Sequence, residues 1–178
     1  MWLFLCIVGI SFWTFIEYML HRFLGHIHKG KNFFKAEHKM HHAKANYFAP
    51  VYKKVVAAVA VSIALFLLLN VFLSALNAVS FITGFMGMYF LYERTHYRYH
   101  QKEPVAKPFI VLRKHHFYHH FHDPNMNHGV TTRFWDRVFG TYVEVEVVVV
   151  PKRMSMSWLV SEEEIRTPYR AHFRLNSR

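Results

Sequence analysis

Cysteine is almost absent from this sequence, and acidic residues are scarce. Cys6 is the only cysteine in 178 residues, which excludes an intramolecular disulfide framework and cysteine-based metal knuckles. The sequence contains no HExxH, Walker, GxGxxG or GxSxG motif, which argues against zincin, nucleotide-binding and serine-hydrolase chemistry. A carboxylate-bridged di-iron bundle needs two Glu-x-x-His motifs, and only one such spacing occurs, from Glu93 to His96.

Long apolar runs are what the sequence has in abundance. Residues 1–20 carry one charge, Glu17, and about 20 residues of helix cross the hydrocarbon core of a bilayer. The run lacks the basic start and small-residue cleavage site of a secretory signal, so it predicts a retained membrane helix. Residues 55–92 form an uncharged run of 38 residues, enough for a hairpin of two crossings.

Basic residues flank these runs. Lys and Arg number 22 against 11 Asp and Glu, for a formal net charge of +11. The basic stretches 21–54 and 93–142 lie on either side of the hairpin, and the positive-inside rule places both on the cytoplasmic face. Since no nucleic-acid reader motif accompanies them, we attribute the charge to lipid headgroups and predict no nucleic-acid partner.

The predicted fold is therefore an all-α integral membrane protein with about three transmembrane helices and a cytoplasmic, histidine-rich helical cap. Residues 1–142 form the predicted membrane-embedded domain. Residues 143–178 follow as a short C-terminal segment, in which VEVEVVVV at 143–150 predicts a strand and the basic tail is assigned no chemistry. The sequence does not determine an oligomeric state.

Histidine is the most informative residue type. Fourteen of the fifteen histidines fall in three windows of the predicted cytoplasmic parts. Residues three or four apart share a helix face, so the HxxHH and HxxxH spacings predict imidazoles converging from several helices on a borderline metal such as iron or zinc. His28, His115, His122 and His128 have no partner motif and are interpreted as structural residues or as supports of a ligand, not as ligands. Asp136, Asp123 and Glu17 are the acidic candidates to orient a ligand ring or serve the site.

Four motifs carry a family resemblance. HRFLGH, HKMHH, HYRYH and HFYHH, in this order and with a membrane hairpin between the second and third, resemble the fatty acid hydroxylase/sterol desaturase superfamily over residues 10–142. EYMLHRFLGH and GVTTRFWDRVFGTY resemble its fatty acid 2-hydroxylase branch. The resemblance implies a dinuclear centre with these ligand candidates: His21, His26, His38, His41, His42, His96, His100, His116, His119 and His120.

The resemblance also implies an activity. Members of the family use O₂ and two electrons to hydroxylate or desaturate an unactivated C–H bond of a lipid, here an acyl chain. That chemistry requires two iron ions, because Zn²⁺ is redox-inert and would occupy the same site without catalysing the reaction. Nothing in this sequence resembles the cytochrome b5-like domain often fused to this branch, so a separate cytochrome b5-like or ferredoxin/reductase donor is expected. The family typically has four crossings, and residues 1–20 match the helix that carries the first histidine motif.

Two alternatives stay open at this point. The same dinuclear centre would serve a desaturase of a sterol or related polycyclic lipid. A non-catalytic membrane metal-binding protein is a third reading, but it would place metal ligands within the spans, whereas residues 55–92 contain no His, Asp or Glu.

Overall fold

The computed structural model describes residues 1–176 and is mostly helical, as the apolar runs predict. Its helices are α1 (Trp2–Met19), a π-helix (Leu20–Ile27), α2 (Phe33–Ala43), α3 (Val51–Leu69), α4 (Ala75–Gln101), α5 (Lys107–Phe121) and α6 (Phe134–Val138). The strands are β1 (Val148–Pro151), β2 (Val160–Ser161), β3 (Glu164–Ile165) and β4 (Phe173–Asn176).

Three helices of the described chain are long and apolar enough to cross a membrane. They are Trp2–Ile27, which joins α1 to the π-helix, Val51–Leu69 and Ala75–Gln101. The expectation of about three membrane-spanning helices is thus confirmed. None of the residues of α3 is buried by protein, as expected for a helix whose apolar side chains face lipid.

The chain divides into two compact units, and the first contains most of the apolar length. It consists of Met1–Ile16 and Ala49–Glu93. Its core holds Trp13, Phe81 and Phe85, with the Trp13 ring edge-on to Phe85 at 5.1 Å between centroids. Backbones approach closely beside this core, because a Cβ atom on Gly84 would lie 2.0 Å from the Cys6 carbonyl oxygen.

The second unit comprises Glu17–Phe48 and the chain from Arg94 onward, and it contains all ten predicted ligands. Its C-terminal part includes two small sheets. Strand β1 pairs with β4 in parallel, with Val148 opposite Phe173, and β2 pairs with β3 antiparallel. The short strand predicted near 143–150 is present, and it begins at Val148. The Asn127 side chain donates to the Val143 carbonyl and accepts from its N–H.

The segment after residue 150 packs more tightly than its basic composition indicates. Trp158, Leu159 and Phe173 are buried there. The indole N–H of Trp158 donates to the His100 carbonyl at 3.2 Å, and the Trp158 ring lies 4.3 Å from the buried guanidinium of Arg113. The tail therefore packs against the histidine-bearing helices, while the domain boundary after residue 142 stays a prediction.

The two glycines of α4 provide a test of packing in the first unit. Gly84→Ala should lower the free energy of unfolding by about 1–3 kcal/mol, since the new methyl group overlaps the Cys6 carbonyl. A Cβ atom on Gly87 would have nothing within 4 Å, so Gly87→Ala should be neutral or stabilise the helix by up to about 1 kcal/mol. Thermal melting of the two detergent-solubilised variants measures the difference, and equal melting temperatures would contradict this packing.

Candidate metal centre

The first histidine motif lies on the π-helix, directly after α1. His21 and His26 are five residues apart, so on an α-helix with about 3.6 residues per turn they would point about 140° apart. A π-helix closes i→i+5 hydrogen bonds, which brings such residues onto one side. The two ring centroids are 5.4 Å apart. From the sequence we expected only that the helix would continue, although the HxxxxH spacing itself is a signal for π geometry.

Each HxxHH motif is divided between two clusters. On α2, the ring centroids of His38 and His42 are 4.5 Å apart, while His41 belongs to the other cluster. On α5, the ring centroids of His116 and His120 are 4.5 Å apart, while His119 belongs to the same cluster as His38 and His42. Residues four apart are close to alignment on an α-helix, whereas adjacent residues diverge by about 100°. The neighbouring histidines of each motif therefore serve different clusters.

The structure brings all ten predicted ligands together in two groups of five. The first cluster is His21, His26, His38, His42 and His119, and the second cluster is His41, His96, His100, His116 and His120. Within each cluster, one ligand nitrogen per residue lies within 4.8 Å of all the others. The two clusters adjoin, since the rings of His42 and His120 stack at 4.2 Å.

The nitrogen spacings fit a bound ion. In the first cluster, Nε2 of His26 lies 2.7 Å from Nε2 of His38, and Nε2 of His42 lies 3.1 Å from that of His119. In the second, Nε2 of His100 lies 3.0 Å from Nε2 of His116. Two nitrogens bound to one ion at about 2.1 Å and at right angles are about 3 Å apart, so these spacings match adjacent ligands of one metal.

Buried nitrogens without partners support the same interpretation. Among the described residues, Nε2 of His21 and both ring nitrogens of His120 are buried and accept or donate no hydrogen bond. An unsatisfied buried polar group costs about 1–3 kcal/mol, and several in one place are costly unless a cation binds them. The donor set is all imidazole, which suits iron or zinc rather than magnesium or calcium.

Burial also keeps these rings in the metal-binding form. Desolvation, followed by the neighbouring imidazoles, lowers the pKa of His116, His119 and His120 well below the usual value of 6.5. The same causes lower the pKa of His42 to about 3. Neutral imidazole is the ligand form, so the clusters are prepared for a metal at neutral pH.

Backbone carbonyls fix the orientation of three rings. Nδ1 of His21 donates to the His128 carbonyl at 2.5 Å, and Nδ1 of His119 donates to the Met126 carbonyl at 2.8 Å. In the second cluster, Nδ1 of His41 donates to the Tyr47 carbonyl at 2.7 Å. A proton held on Nδ1 leaves Nε2 with its lone pair directed at the cluster.

These carbonyls are the functional groups that sequence reasoning missed. They are main-chain atoms and have no side-chain signature. His128 was interpreted as a structural residue or a support of a ligand; its ring lies 5.1 Å from that of His119 and its carbonyl accepts from His21.

The three acidic candidates have different surroundings. Asp136 is fully buried, and its Oδ2 accepts from Nε2 of His115 at 2.9 Å. Glu17 is also buried and accepts from the backbone of residues 130 and 131. Asp123 instead accepts from Asn125 in an exposed turn. Glu17 therefore bonds to the loop backbone, Asp123 to Asn125, and Asp136 to His115. His115 lies outside both clusters.

Comparison with known proteins gives a consistent family. The family model described as "Fatty acid hydroxylase" matches residues 6–141. Dihydroceramide fatty acyl 2-hydroxylase FAH2 of Arabidopsis thaliana is 31% identical over 137 residues, covering 75% of this chain and 58% of that protein. Ceramide very long chain fatty acid hydroxylase SCS7 of Saccharomyces cerevisiae is 34% identical over 149 residues, covering 79% and 38%.

A solved structure shares the fold. The structure titled "Full length scs7p (only hydroxylase domain visible)" matches with a TM-score of 0.62 and 28% identity, covering 80% of this chain and 56% of that one. The chain spans from slightly under two fifths to about three fifths of the length of the curated relatives it matches. The similarity thus covers part of longer proteins.

Removing one imidazole should cause the loss of one bound metal ion per chain. His119→Ala deletes a first-cluster ligand, so we expect the purified protein to fall from about two metal ions per chain to about one. His122 lies three residues along and its Nε2 accepts from the Val149 N–H outside both clusters, so His122→Ala is the matched control and should keep both. Elemental analysis of the two variants measures the stoichiometry, and an unchanged ratio in His119→Ala would contradict the cluster.

Stability of the metal-free protein should fall with acid. The rings of His116, His119 and His120 have a lowered pKa in the folded state, whereas the unfolded chain takes up protons near pH 6.5. The unfolded state therefore binds more protons below about pH 6.5, and each ring contributes a loss of up to about 1.4 kcal/mol per pH unit. Thermal melts of chelator-treated protein at pH 7, 6 and 5 test this, and a flat profile would contradict it.

Proposed function

Because the chain belongs to the fatty acid hydroxylase family, we propose that it is a membrane-bound lipid hydroxylase that uses O₂ to hydroxylate an unactivated C–H bond of an acyl chain. The observation that carries the proposal is the pair of adjacent five-histidine clusters, with ring nitrogens facing one another inside each. A dinuclear centre of this kind fits two-electron chemistry on O₂ better than a structural role, since structural zinc sites are almost always four-coordinate.

Iron is the metal we assign to both clusters. When bound there, iron would supply the two-electron activation of O₂ that places one oxygen atom on the lipid and the other in water, with two electrons and two protons consumed. The chain's own residues present neutral imidazoles, hold three of them through backbone carbonyls, and bury half of the ligand candidates. Zinc would be held by the same nitrogens without redox activity.

The substrate class follows from the relatives and from the place of the ligands along their helices. The matched proteins are named for fatty acyl, fatty acid and ceramide hydroxylation. In this chain, His21 and His26 lie at the C-terminal end of the Trp2–Ile27 helix, and His96 and His100 at that of Ala75–Gln101. A lipid would meet the metals near the polar end of its acyl chain. We therefore propose carbon 2 of a ceramide-type or free fatty acyl chain as the position oxidised.

The basic flanks support a cytoplasmic active site. Lys and Arg concentrate in the stretches that carry the histidines, and such residues stay on the cytoplasmic side of membrane helices. On that side a soluble or peripheral reductase system has access. We assign the electron supply to a donor outside these 178 residues, of cytochrome b5-like or ferredoxin/reductase type.

The chemical identity of the reaction product tests the proposal. Full-length protein reconstituted with iron, a reductase system and mixed lipids should yield acyl chains heavier by one oxygen atom, detected by mass spectrometry, with isotope incorporated from heavy-oxygen-labelled O₂. The zinc-loaded protein is the control and should give no product although it is equally folded. Loss of two hydrogens without oxygen gain would indicate a desaturase instead, and a stable protein that binds no metal would end the proposal.

A further inference from the structure

The segment 128–131, between α5 and α6, is held by two buried carboxylates. Its four consecutive backbone N–H groups all donate to carboxylate oxygens. The N–H of His128 and Gly129 donate to Oδ1 and Oδ2 of Asp136 at 2.8 Å each. The N–H of Val130 and Thr131 donate to Oε1 of Glu17 at 2.7 and 3.0 Å. Because hydrogen bonds to a carboxylate are stronger than those between neutral groups, these four restrict the backbone conformation of the segment.

Both carboxylates have further donors, which fix their own positions. The Thr131 hydroxyl donates to Glu17 at 2.5 Å, and the Thr141 hydroxyl donates to Asp136 at 2.8 Å. His115 supplies another donor to Asp136. Position 129 requires glycine, because the Cβ atom of any other residue would lie 1.9 Å from the Thr132 carbonyl oxygen and 2.9 Å from Oδ2 of Asp136. The segment is therefore built around these two acids.

Carbonyls in and next to this segment hold rings of the first cluster. The His128 carbonyl accepts from His21 and the Met126 carbonyl accepts from His119. The second cluster has a separate support, since His41 donates to Tyr47, in the connection between α2 and α3. The Tyr47 hydroxyl in turn donates to Glu37 at 2.5 Å. The carbonyls that orient His21 and His119 and the carbonyl that orients His41 thus belong to different loops.

We propose that Glu17 and Asp136 are positioning residues that act through segment 126–131 to orient His21 and His119, so that they govern metal retention in the first cluster and not in the second. This inference rests on the proposed function only in requiring that both clusters hold a metal. Asp136 and Glu17 bond to the backbone of the segment, and Asp136 also bonds to His115 and Thr141, which lie outside both clusters. Their effect on His21 and His119 is therefore transmitted through the peptide groups of the segment.

Metal release provides the test. The full chain, purified in detergent and loaded with zinc, is mixed with excess chromogenic chelator, and release is followed over time for wild type, Asp136→Asn and Glu17→Gln. Each amide should place an N–H₂ group against a backbone or side-chain donor. We expect one of the two zinc ions to leave about 10–100-fold faster than in wild type, as for other groups that orient metal ligands, while the second leaves at the wild-type rate.

A matched control is available on the surface of the same unit. Glu163 is exposed and pairs with Lys152 at 2.7 Å, so Glu163→Gln makes the same chemical change without touching the segment. Its two release rates should equal those of wild type. A comparable acceleration in Glu163→Gln would overturn the proposal.

Two backgrounds identify which ion is affected. His116→Ala removes a second-cluster ligand and should leave one zinc in the first cluster, where Asp136→Asn should still accelerate release. His119→Ala should leave one zinc in the second cluster, where Asp136→Asn should have no effect. Equal acceleration in both backgrounds, or in neither, would overturn the inference, because a general loosening of the fold would affect both ions alike.

The outcomes separate this inference from the proposed function. A wild-type protein that binds fewer than two metal ions contradicts the dinuclear centre itself. Two ions in wild type with unaltered release in both variants contradicts only the role of the carboxylates. If Asp136→Asn does not fold, Glu17→Gln, which removes one charge and keeps an acceptor oxygen, decides the result alone in the same two backgrounds.

Discussion

Ten imidazole rings packed with their nitrogens facing one another are the constraint on which the rest of this structure depends. Nitrogen atoms 2.7–3.1 Å apart, beside further buried ring nitrogens without a hydrogen-bond partner, favour a positive charge between them. Protons supply it poorly, because burial and mutual repulsion lower the pKa of His116, His119 and His120. Metal ions supply it well, and the all-imidazole donor set favours iron or zinc.

Helix geometry then explains how so few segments fill two sites. Each HxxHH motif sends its i and i+4 rings to one cluster and its i+3 ring to the other, so α2 and α5 each contribute to both. The π-helix brings a pair five residues apart to one side, and the last turns of α4 add His96 and His100. Two of these contributors are continuous with membrane-length helices.

The second layer of contacts uses main-chain atoms and buried acids. Carbonyls select the tautomer of His21, His41 and His119, and buried carboxylates in turn hold one of the loops that present those carbonyls. A buried carboxylate is expensive unless it accepts several hydrogen bonds, and Asp136 and Glu17 both do. The C-terminal residues complete the unit by packing Trp158 and Phe173 behind the histidine helices. The two buried acids of this unit therefore lie where they fix the loop geometry.

Sequence alone determined the features that depend on local pattern. Apolar length predicted three membrane-spanning helices, and the histidine spacings predicted converging imidazoles, because helix periodicity is a local property. The family resemblance supplied the ten ligand candidates that the structure collects. Tertiary structure decided the rest. Which cluster His41 and His42 each join depends on where neighbouring helices lie. The strand at Val148 starts late because Asn127, distant in sequence, binds the backbone of Val143. Glu17 reaches the peptide groups beside those of Asp136 only after the chain has folded, since 113 positions separate it from Val130.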